Sequence, residues 1–232
     1  MRTVSRETPS APPAAERIFG AALPLATRYA GFLVGAGVDR GLLGPREAER
    51  IWPRHLLNCA VVEQAVPADA RLVDVGSGAG LPGLVLAVLR PDLSVTLVEP
   101  LERRAAFLRE AVELLELGHV EVRRARAEEL PAGLADVVTA RAVAPLDRLA
   151  AWCLPLLAPG GRLLALKGDR AGAELADAIP VLRRLGTTDA AVRRMGLDVL
   201  DDPTTVVIVT AGGRPRAADG RRPRRALPGG DR

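Results

Sequence analysis

The residue types best suited to chemistry are concentrated in residues 72–83, LVDVGSGAGLPG, where four glycines and one carboxylate follow an apolar run. Glycine is needed where the backbone takes a positive φ angle or closely approaches a ligand, and a glycine-rich turn that leads into a helix presents backbone N–H groups to a nucleotide. Read from Asp74, the stretch has the pattern D-x-G-x-G-x-G, and read from Gly78 it has G-x-G-x-x-G. The first pattern suits S-adenosylmethionine and the second suits a dinucleotide such as NAD.

Carboxylates nearby help to separate the two cofactors. Glu99 closes a second apolar run, 25 residues after Asp74, where an acidic residue binds ribose hydroxyls in either kind of site. Asp74 lies two residues before the first glycine, where a dinucleotide site usually has an apolar residue. A carboxylate there can approach the cationic amino acid part of S-adenosylmethionine, directly or through water. Ala127 and Glu128 follow a third predicted strand, where an adenine base would lie. S-adenosylmethionine is therefore favoured, and NAD stays open as the alternative.

The elements that position these residues alternate between strands and helices from residue 71 onward. This order predicts an α/β domain whose strands pair in parallel through right-handed crossovers. We expect six strands, at residues 71–76, 94–100, 119–126, 135–141, 161–168 and 204–211. Helices are predicted to begin at Pro82, Leu101, Pro145 and Ala171, and the second of them to end at Gly118.

The chain is predicted to have four parts. Residues 1–13 are expected to form a disordered leader, 14–68 a helical N-terminal cap, 69–211 the cofactor-binding domain and 212–232 a basic disordered tail. The formal net charge of +4 belongs to the tail, because residues 211–232 contain seven Arg and two Asp and the remainder is close to neutral. The tail could add RNA affinity through phosphate contacts, or it could be a solvated end without a specific role.

Composition excludes several classes of protein. Six aromatic residues in 232 argue against a stacking platform for single-stranded nucleic acid. Cys59 and Cys153 lie in apolar surroundings and are interpreted as buried thiols in a reducing compartment, and no metal site is expected. No stretch of about 18 uncharged residues could span a bilayer, so we expect a cytoplasmic protein. With no obvious exposed apolar stripe, a monomer is expected.

Four stretches carry a resemblance to a known family. DVGSGAGLPG, RHLLNCAVV, ARAVAPL and LALKG, in this order and spacing, resemble the RsmG (GidB) family of bacterial small-subunit ribosomal RNA methyltransferases, over about residues 30–211. The resemblance implies a Rossmann-like class I methyltransferase sheet with helices on both faces, plus an N-terminal helical cap. It also implies methyl transfer from S-adenosylmethionine to N7 of a guanine in the decoding region of 16S rRNA, with 16S rRNA or the small ribosomal subunit as partner and neither DNA nor a membrane.

The resemblance also assigns site residues. Cofactor contacts carry over to Gly76 and Leu81 in the loop, to Ala127 and Glu128, and to Arg141. Gly78 belongs to the same loop, and Glu99 stands where many members have Asp. One departure is Pro53, which precedes Arg54 and His55 where the family commonly has Glu. A proline should break or start a helix there, which puts the placement of His55 in doubt.

The chemistry of guanine N7 sets what these residues must do. N7 carries an in-plane lone pair and no proton, so it can attack a methyl group without a general base. Arg141 is expected to stack on or hydrogen-bond the base or backbone, unless it forms an ion pair with Glu128 or Asp136. Lys167 is a candidate phosphate contact or a solvated strand end. His55 is assigned to RNA phosphate or to closing the cap over the site, although a lone His in an apolar helix is more often structural.

Three alternatives to this function stay open. An NAD-dependent oxidoreductase would lack a Tyr-x-x-x-Lys pair, because Tyr29 and Lys167 are the only residues of their types. A non-enzymatic RNA-binding protein would have little use for an intact cofactor loop. A methyltransferase of the same fold could act on another RNA.

Overall fold

A computed structural model describes residues 8–212. The first seven residues of the predicted leader, and the predicted tail beyond Gly212, lie outside the described residues. The α-helices are α1 (Pro13–Phe19), α2 (Leu23–Phe32), α3 (Asn58–Ala60), α4 (Gly83–Leu89), α5 (Glu102–Leu114), α6 (Leu146–Cys153) and α7 (Ala171–Arg184). The strands are β1 (Arg71–Val75), β2 (Ser94–Val98), β3 (Val120–Arg123), β4 (Ala135–Arg141), β5 (Leu157–Lys167), β6 (Thr187–Met195) and β7 (Thr204–Ala211).

The remaining helical segments are 3₁₀ helices, which are tighter than an α-helix, and π-helices, which are wider. Short 3₁₀ segments lie at Gly20–Ala22, Pro45–Arg50, Val61–Ala65, Ala127–Glu129 and Leu154–Leu156, and π-helical segments lie at Leu33–Gly37 and Ile51–Leu57. Pro53 therefore lies inside a helical turn near the start of the second π-helical segment. A proline is tolerated in the first turn of a helix because the N–H that it lacks would have no partner there.

The seven strands form one mixed sheet in the order β3-β2-β1-β4-β5-β7-β6. Neighbours from β3 to β5 pair in parallel, as predicted, whereas β7 pairs antiparallel with both β5 and β6. Two expectations were therefore wrong: β6 was not predicted, and the last strands do not pair in parallel. The helix predicted to end at Gly118 ends at Leu114, and Glu116 takes the left-handed conformation, with φ 56°.

Each face of the sheet has its own core. Alternate residues of a strand point to opposite faces, so Leu72 joins one core and Val73 the other. The first core is covered by the cap together with α4 and α5, and the second by α6 and α7. Helices thus flank both faces of the sheet, and the cap shares its core with the sheet.

Within residues 8–212, one helical run has the length and apolar composition of a membrane span. Residues Pro13–Gly37 form a run of 25 helical residues, within which a stretch of 18 residues has a mean hydropathy of 1.3, so that by length and composition alone the run could cross a membrane. Buried helices of globular cores meet the same criterion. Phe19, Tyr29 and Leu33 of this run are almost completely buried against the rest of the chain.

Candidate active site

The glycine loop connects β1 to α4 and takes a conformation that requires glycine. Gly76, Gly78 and Gly80 have φ angles of 67°, 58° and 92°. A Cβ at Gly80 would lie 2.6 Å from the Tyr29 hydroxyl oxygen, and Tyr29 donates its hydrogen bond to the Ala79 carbonyl at 2.5 Å. The cap therefore holds the outer turn of the loop through Tyr29, a contact that the sequence reasoning missed.

A cavity of about 540 Å³ opens at the carboxyl ends of β1, β2 and β4. Parallel α/β sheets bind ligands at this edge, and the volume falls within the range of about 300–1,000 Å³ for small-molecule sites. The predicted residues that line it are Gly76, Gly78, Leu81, Glu99, Ala127, Glu128, Arg141 and His55. Seven of the eight predicted cofactor contacts, together with His55, are thus brought into one cavity.

Glu99 is a buried carboxylate that joins the glycine loop to the end of β2. It is 2% exposed, and its two oxygens accept the N–H groups of Gly78 and Leu101, both at 3.0 Å. A carboxylate has about four acceptor positions. Glu99 can therefore brace the loop and still accept two hydroxyl groups from a ligand, as predicted for ribose.

Asp74 departs from the sequence prediction. It is fully buried, and it does not line the cavity. Its Oδ1 accepts the Thr139 hydroxyl at 2.8 Å, and its Oδ2 accepts the Gly83 N–H at 3.2 Å. Asp74 points to the face that Leu72 occupies, under the start of α4, so its carboxylate does not face the cavity in which the sequence predicts the cofactor. It supports the loop from behind.

Asp74 should make stability depend on pH. Burial raises the pKa of this carboxyl from 3.8 to about 6, so between these values the folded state holds a proton that the unfolded state has lost. The free energy of unfolding should then fall as pH rises through this range. We expect Asp74→Asn, which keeps an acceptor for Gly83 and a polar partner for Thr139, to raise that free energy at pH 8 by about 2 kcal/mol.

Urea unfolding at pH 5 and pH 8 measures this effect. The gain from Asp74→Asn should be smaller at pH 5, where the native carboxyl is largely protonated. An equal change at both pH values, or a loss of stability at pH 8, would contradict the prediction.

Arg141 ends β4 and contacts residues of the cap. Its Nη2 donates to His55 Nδ1 at 2.8 Å, and its Nη1 donates to Cys59 Sγ at 3.3 Å. Neither of the alternative ion pairs forms: Asp136 pairs with Arg71 at 2.7 Å, and within residues 8–212 no salt bridge joins Arg141 to Glu128. His55 is 5% exposed, so it is a partner of Arg141 within the fold and presents little surface to an RNA phosphate.

Glu47 is a further residue that the sequence reasoning missed. Its Oε2 lies 2.8 Å from His55 Nε2. Burial and the charge of Arg141 lower the pKa of His55 below its ordinary value, although Glu47 raises it. Burial raises the pKa of the Cys59 thiol, and Cys59 and Cys153 are both buried free thiols, as predicted.

A second cavity of about 590 Å³ adjoins the first. Arg141, Ala142 and Val143 line both cavities and form the wall between them. Arg54, Asn58 and Lys167 also face the second cavity, whose polar lining suits a polar ligand. Within residues 8–212, no group of three His, Cys, Asp or Glu side chains is arranged to hold a metal ion.

Lys167 is neither free nor solvated. Its side chain is 8% exposed, and its ammonium donates to Glu174 Oε2 and to the Ala144 carbonyl, each at 2.7 Å. It therefore anchors the segment after β4 to α7, and the expectation of a solvated strand end was wrong. Only the third N–H of the ammonium is left for a phosphate contact, because the other two are donated to Glu174 and Ala144.

We expect Lys167→Met to lower turnover by about tenfold, because the Ala144 carbonyl loses its donor and the wall between the cavities loses its anchor. For the RNA partner that the sequence predicts, the slope of log affinity against log salt should stay the same, since a residue that contacts phosphate would reduce it by about one on mutation. Arg193→Met, at an exposed position of β6, is the control for turnover. A reduced salt slope would instead support the phosphate contact.

The chain matches a family of known proteins over most of its length. The family model described as rRNA small subunit methyltransferase G matches residues 22–196. Proteins named ribosomal RNA small subunit methyltransferase G from Salinispora arenicola and Thermobifida fusca are each 61% identical to the chain, over 202 and 198 residues. These alignments cover 84% of the chain and 84% of the first relative, and 85% of the chain and 84% of the second.

A solved structure shares the fold at low identity. The chain is similar to an S-adenosylmethionine-dependent O-methyltransferase from Thermotoga maritima, with a TM-score of 0.51 and 16% identity. The match covers 66% of this chain and 63% of that one. It supports the Rossmann-like methyltransferase sheet predicted from the sequence.

Proposed function

Since the chain belongs to the rRNA small subunit methyltransferase G family, we propose that it transfers a methyl group from S-adenosylmethionine to N7 of a guanine in the decoding-region loop of 16S rRNA. The family assignment favours S-adenosylmethionine over NAD for the glycine loop. The observation that carries the proposal is the pair of adjoining cavities that share Arg141, Ala142 and Val143. One cavity suits the cofactor, and the other suits a nucleotide.

The cofactor cavity fits a nucleoside. A Cβ at Gly76 would lie 2.9 Å from Val143 Cγ2, so the space at the loop depends on glycine. Glu99 offers acceptors for ribose hydroxyls. Ala127, which is 6% exposed, and the more exposed Glu128 lie where the predicted adenine would be bound. Arg141, within residues 8–212, has no carboxylate partner, so its charge is available to an anionic group of cofactor or RNA.

Catalysis in this proposal rests on alignment of the reacting groups. When bound, S-adenosylmethionine supplies an electrophilic methyl group on a positively charged sulfur. Guanine N7 has no proton to lose, so no residue has to act as a base, and His55 is already engaged by Arg141 and Glu47. Holding two reactants in line for displacement can supply about 7–11 kcal/mol of the rate acceleration. The glycine loop, Glu99 and the wall residues would provide this alignment.

Methyl transfer to small-subunit RNA tests the proposal directly. The purified protein is incubated with methyl-labelled S-adenosylmethionine and with RNA or subunits from cells that lack this enzyme, and the modified nucleosides are identified after digestion. Label in 7-methylguanosine at one site supports the reaction, the cofactor and the atom together. Label in a different nucleoside or a different RNA would overturn the N7 or 16S assignment. Failure to bind S-adenosylhomocysteine would overturn the cofactor.

We also propose where the protein acts, in which oligomeric state and with which partners. We propose a cytoplasmic monomer that acts on 16S rRNA or the small ribosomal subunit, with neither DNA nor a membrane as partner. Light scattering on the purified full chain measures its mass against the 24.5 kDa expected for one copy. A dimeric mass would contradict the monomer.

A further inference from the structure

The position of Arg141 depends on side chains that have no net charge of their own. Within residues 8–212, the hydrogen-bond acceptors of its guanidinium are the imidazole of His55 and the sulfur of Cys59. Both acceptors come from the cap, whereas Arg141 ends β4. The wall between the two cavities is thus held by a contact between the cap and the sheet.

The hydrogen bonds determine which form of His55 is present. Arginine only donates, so His55 Nδ1, at 2.8 Å from Arg141, must be the acceptor. The proton of the neutral ring then lies on Nε2, which donates to Glu47 Oε2 at 2.8 Å. A protonated ring would turn Nδ1 into a donor and place two donors and two positive charges against each other.

The cap provides this geometry through an unusual local structure. Glu47 lies on the 3₁₀ segment Pro45–Arg50, and His55 lies on the π-helical segment Ile51–Leu57. π-Helical turns redirect side chains and are frequent at functional sites. Here the turn directs His55 inward, while the neighbouring Arg54 keeps a side chain that is 55% exposed.

We propose that Glu47 and His55 are positioning residues that orient Arg141 between the cofactor and substrate cavities, and that they do so only while His55 is neutral. Glu47 fixes the tautomer and the ring, and His55 Nδ1 fixes the guanidinium. Protonation of His55 releases Arg141 from this position. Neither residue needs to touch the cofactor or the RNA.

Every charged group around His55 bears on the pH at which this release occurs. Glu47 faces Nε2 and raises the pKa of His55, whereas burial, Arg141 and Arg54 lower it. Asp74, whose pKa burial raises to about 6, also titrates in mildly acidic solution. An acid limb in the wild-type profile therefore cannot by itself be assigned to His55, but its response to Glu47 can.

The first experiment measures the tautomer and the pKa of the His55 imidazole directly, and it needs no ligand. The chain has two histidines, so ¹⁵N-labelled histidine gives two sets of ring signals, and His119→Gln assigns them. We expect His55 as the Nε2–H tautomer, with a pKa below its ordinary value that Glu47→Gln lowers further. Glu49→Gln, an exposed carboxylate on the same 3₁₀ segment, should leave it unchanged. If His55 is the Nδ1–H tautomer, or if its pKa is the same in Glu47→Gln as in the wild type, the proposal is wrong.

The second experiment rests on the proposed function and measures S-adenosylhomocysteine affinity against pH. At pH 8, His55→Leu should weaken binding by about tenfold, because Arg141 loses its acceptor. His55→Asn, whose amide oxygen can occupy the place of Nδ1, should restore most of it. Glu47→Gln should shift the acid limb to lower pH, and Glu49→Gln should not.

The two experiments separate failure of the function from failure of this inference. If the wild-type protein binds no S-adenosylhomocysteine, the proposed function fails, and the imidazole spectra still decide whether Glu47 and His55 form the arrangement. If the protein binds but Glu47→Gln leaves the acid limb in place, the proposed role of His55 is wrong.

Discussion

Replacing Arg141 with alanine is expected to lower kcat/KM for methyl transfer by on the order of a hundredfold, the largest effect on activity that we foresee. The side chain stands in the wall common to both cavities. Among the predicted site residues, Arg141 alone combines a permanent charge with a place in the lining of both cavities. Its loss would affect cofactor binding and alignment of the base together.

Arg141→Lys should recover little of this loss. A lysine ammonium is a point charge and cannot reproduce the planar donors that reach His55 and Cys59 at once. Arg193→Ala removes the same charge from an exposed position of β6 and is the control. Steady-state kinetics with small-subunit RNA would measure all three variants. A lysine variant as active as the wild type would show that charge alone is needed.

The largest effect on stability is expected for Gly83→Ala, which should lower the free energy of unfolding by about 3 kcal/mol. Gly83 begins α4 close behind the glycine loop. A Cβ there would lie 2.8 Å from both Cβ and Oδ2 of Asp74, and it would also collide with Leu97. These neighbours belong to the central strands, so they cannot move aside without disturbing the sheet.

Gly172→Ala is the matched control because it makes the same change in another helix with the opposite expected sign. Gly172 is exposed near the start of α7, and a Cβ there meets nothing within 4 Å. Alanine should raise the free energy of unfolding by about 0.5–1 kcal/mol, since it favours the helix more than glycine. Chemical denaturation of the two variants beside the wild type decides the matter. Equal changes in the free energy of unfolding for Gly83→Ala and Gly172→Ala would contradict the prediction.

How far the fold could be predicted depends on burial. Strands β1, β2 and β4 are nearly continuous apolar runs because both of their faces are covered, and such runs are visible in a sequence. Strand β6 lies at an edge, with exposed Arg193 and Arg194 among partly buried residues, so its pattern resembles a loop. Its antiparallel pairing with β7 depends on that missed strand.

Some residues of the candidate site could also be predicted from the sequence, and others could not. The glycine loop could be predicted because its whole pattern lies within residues 72–83, and Glu99 could be predicted because it closes the next apolar run. The partners of Arg141 could not, since His55 and Cys59 are 86 and 82 residues away in the chain. The burial of Asp74 could have been predicted, because both faces of β1 are covered and every residue of the strand after Arg71 is buried.

The shared core of cap and sheet also bears on the order in which the chain can fold. Leu33, Ile51 and Leu56 of the cap pack in the same core as Leu164, Met195 and Val206, which are synthesised more than a hundred residues later. Strand β7 lies between β5 and β6, so the sheet stays incomplete until it has been made. During translation the apolar cap therefore emerges before much of the sheet that covers it, so part of its apolar surface has no partner until the last strand has been made.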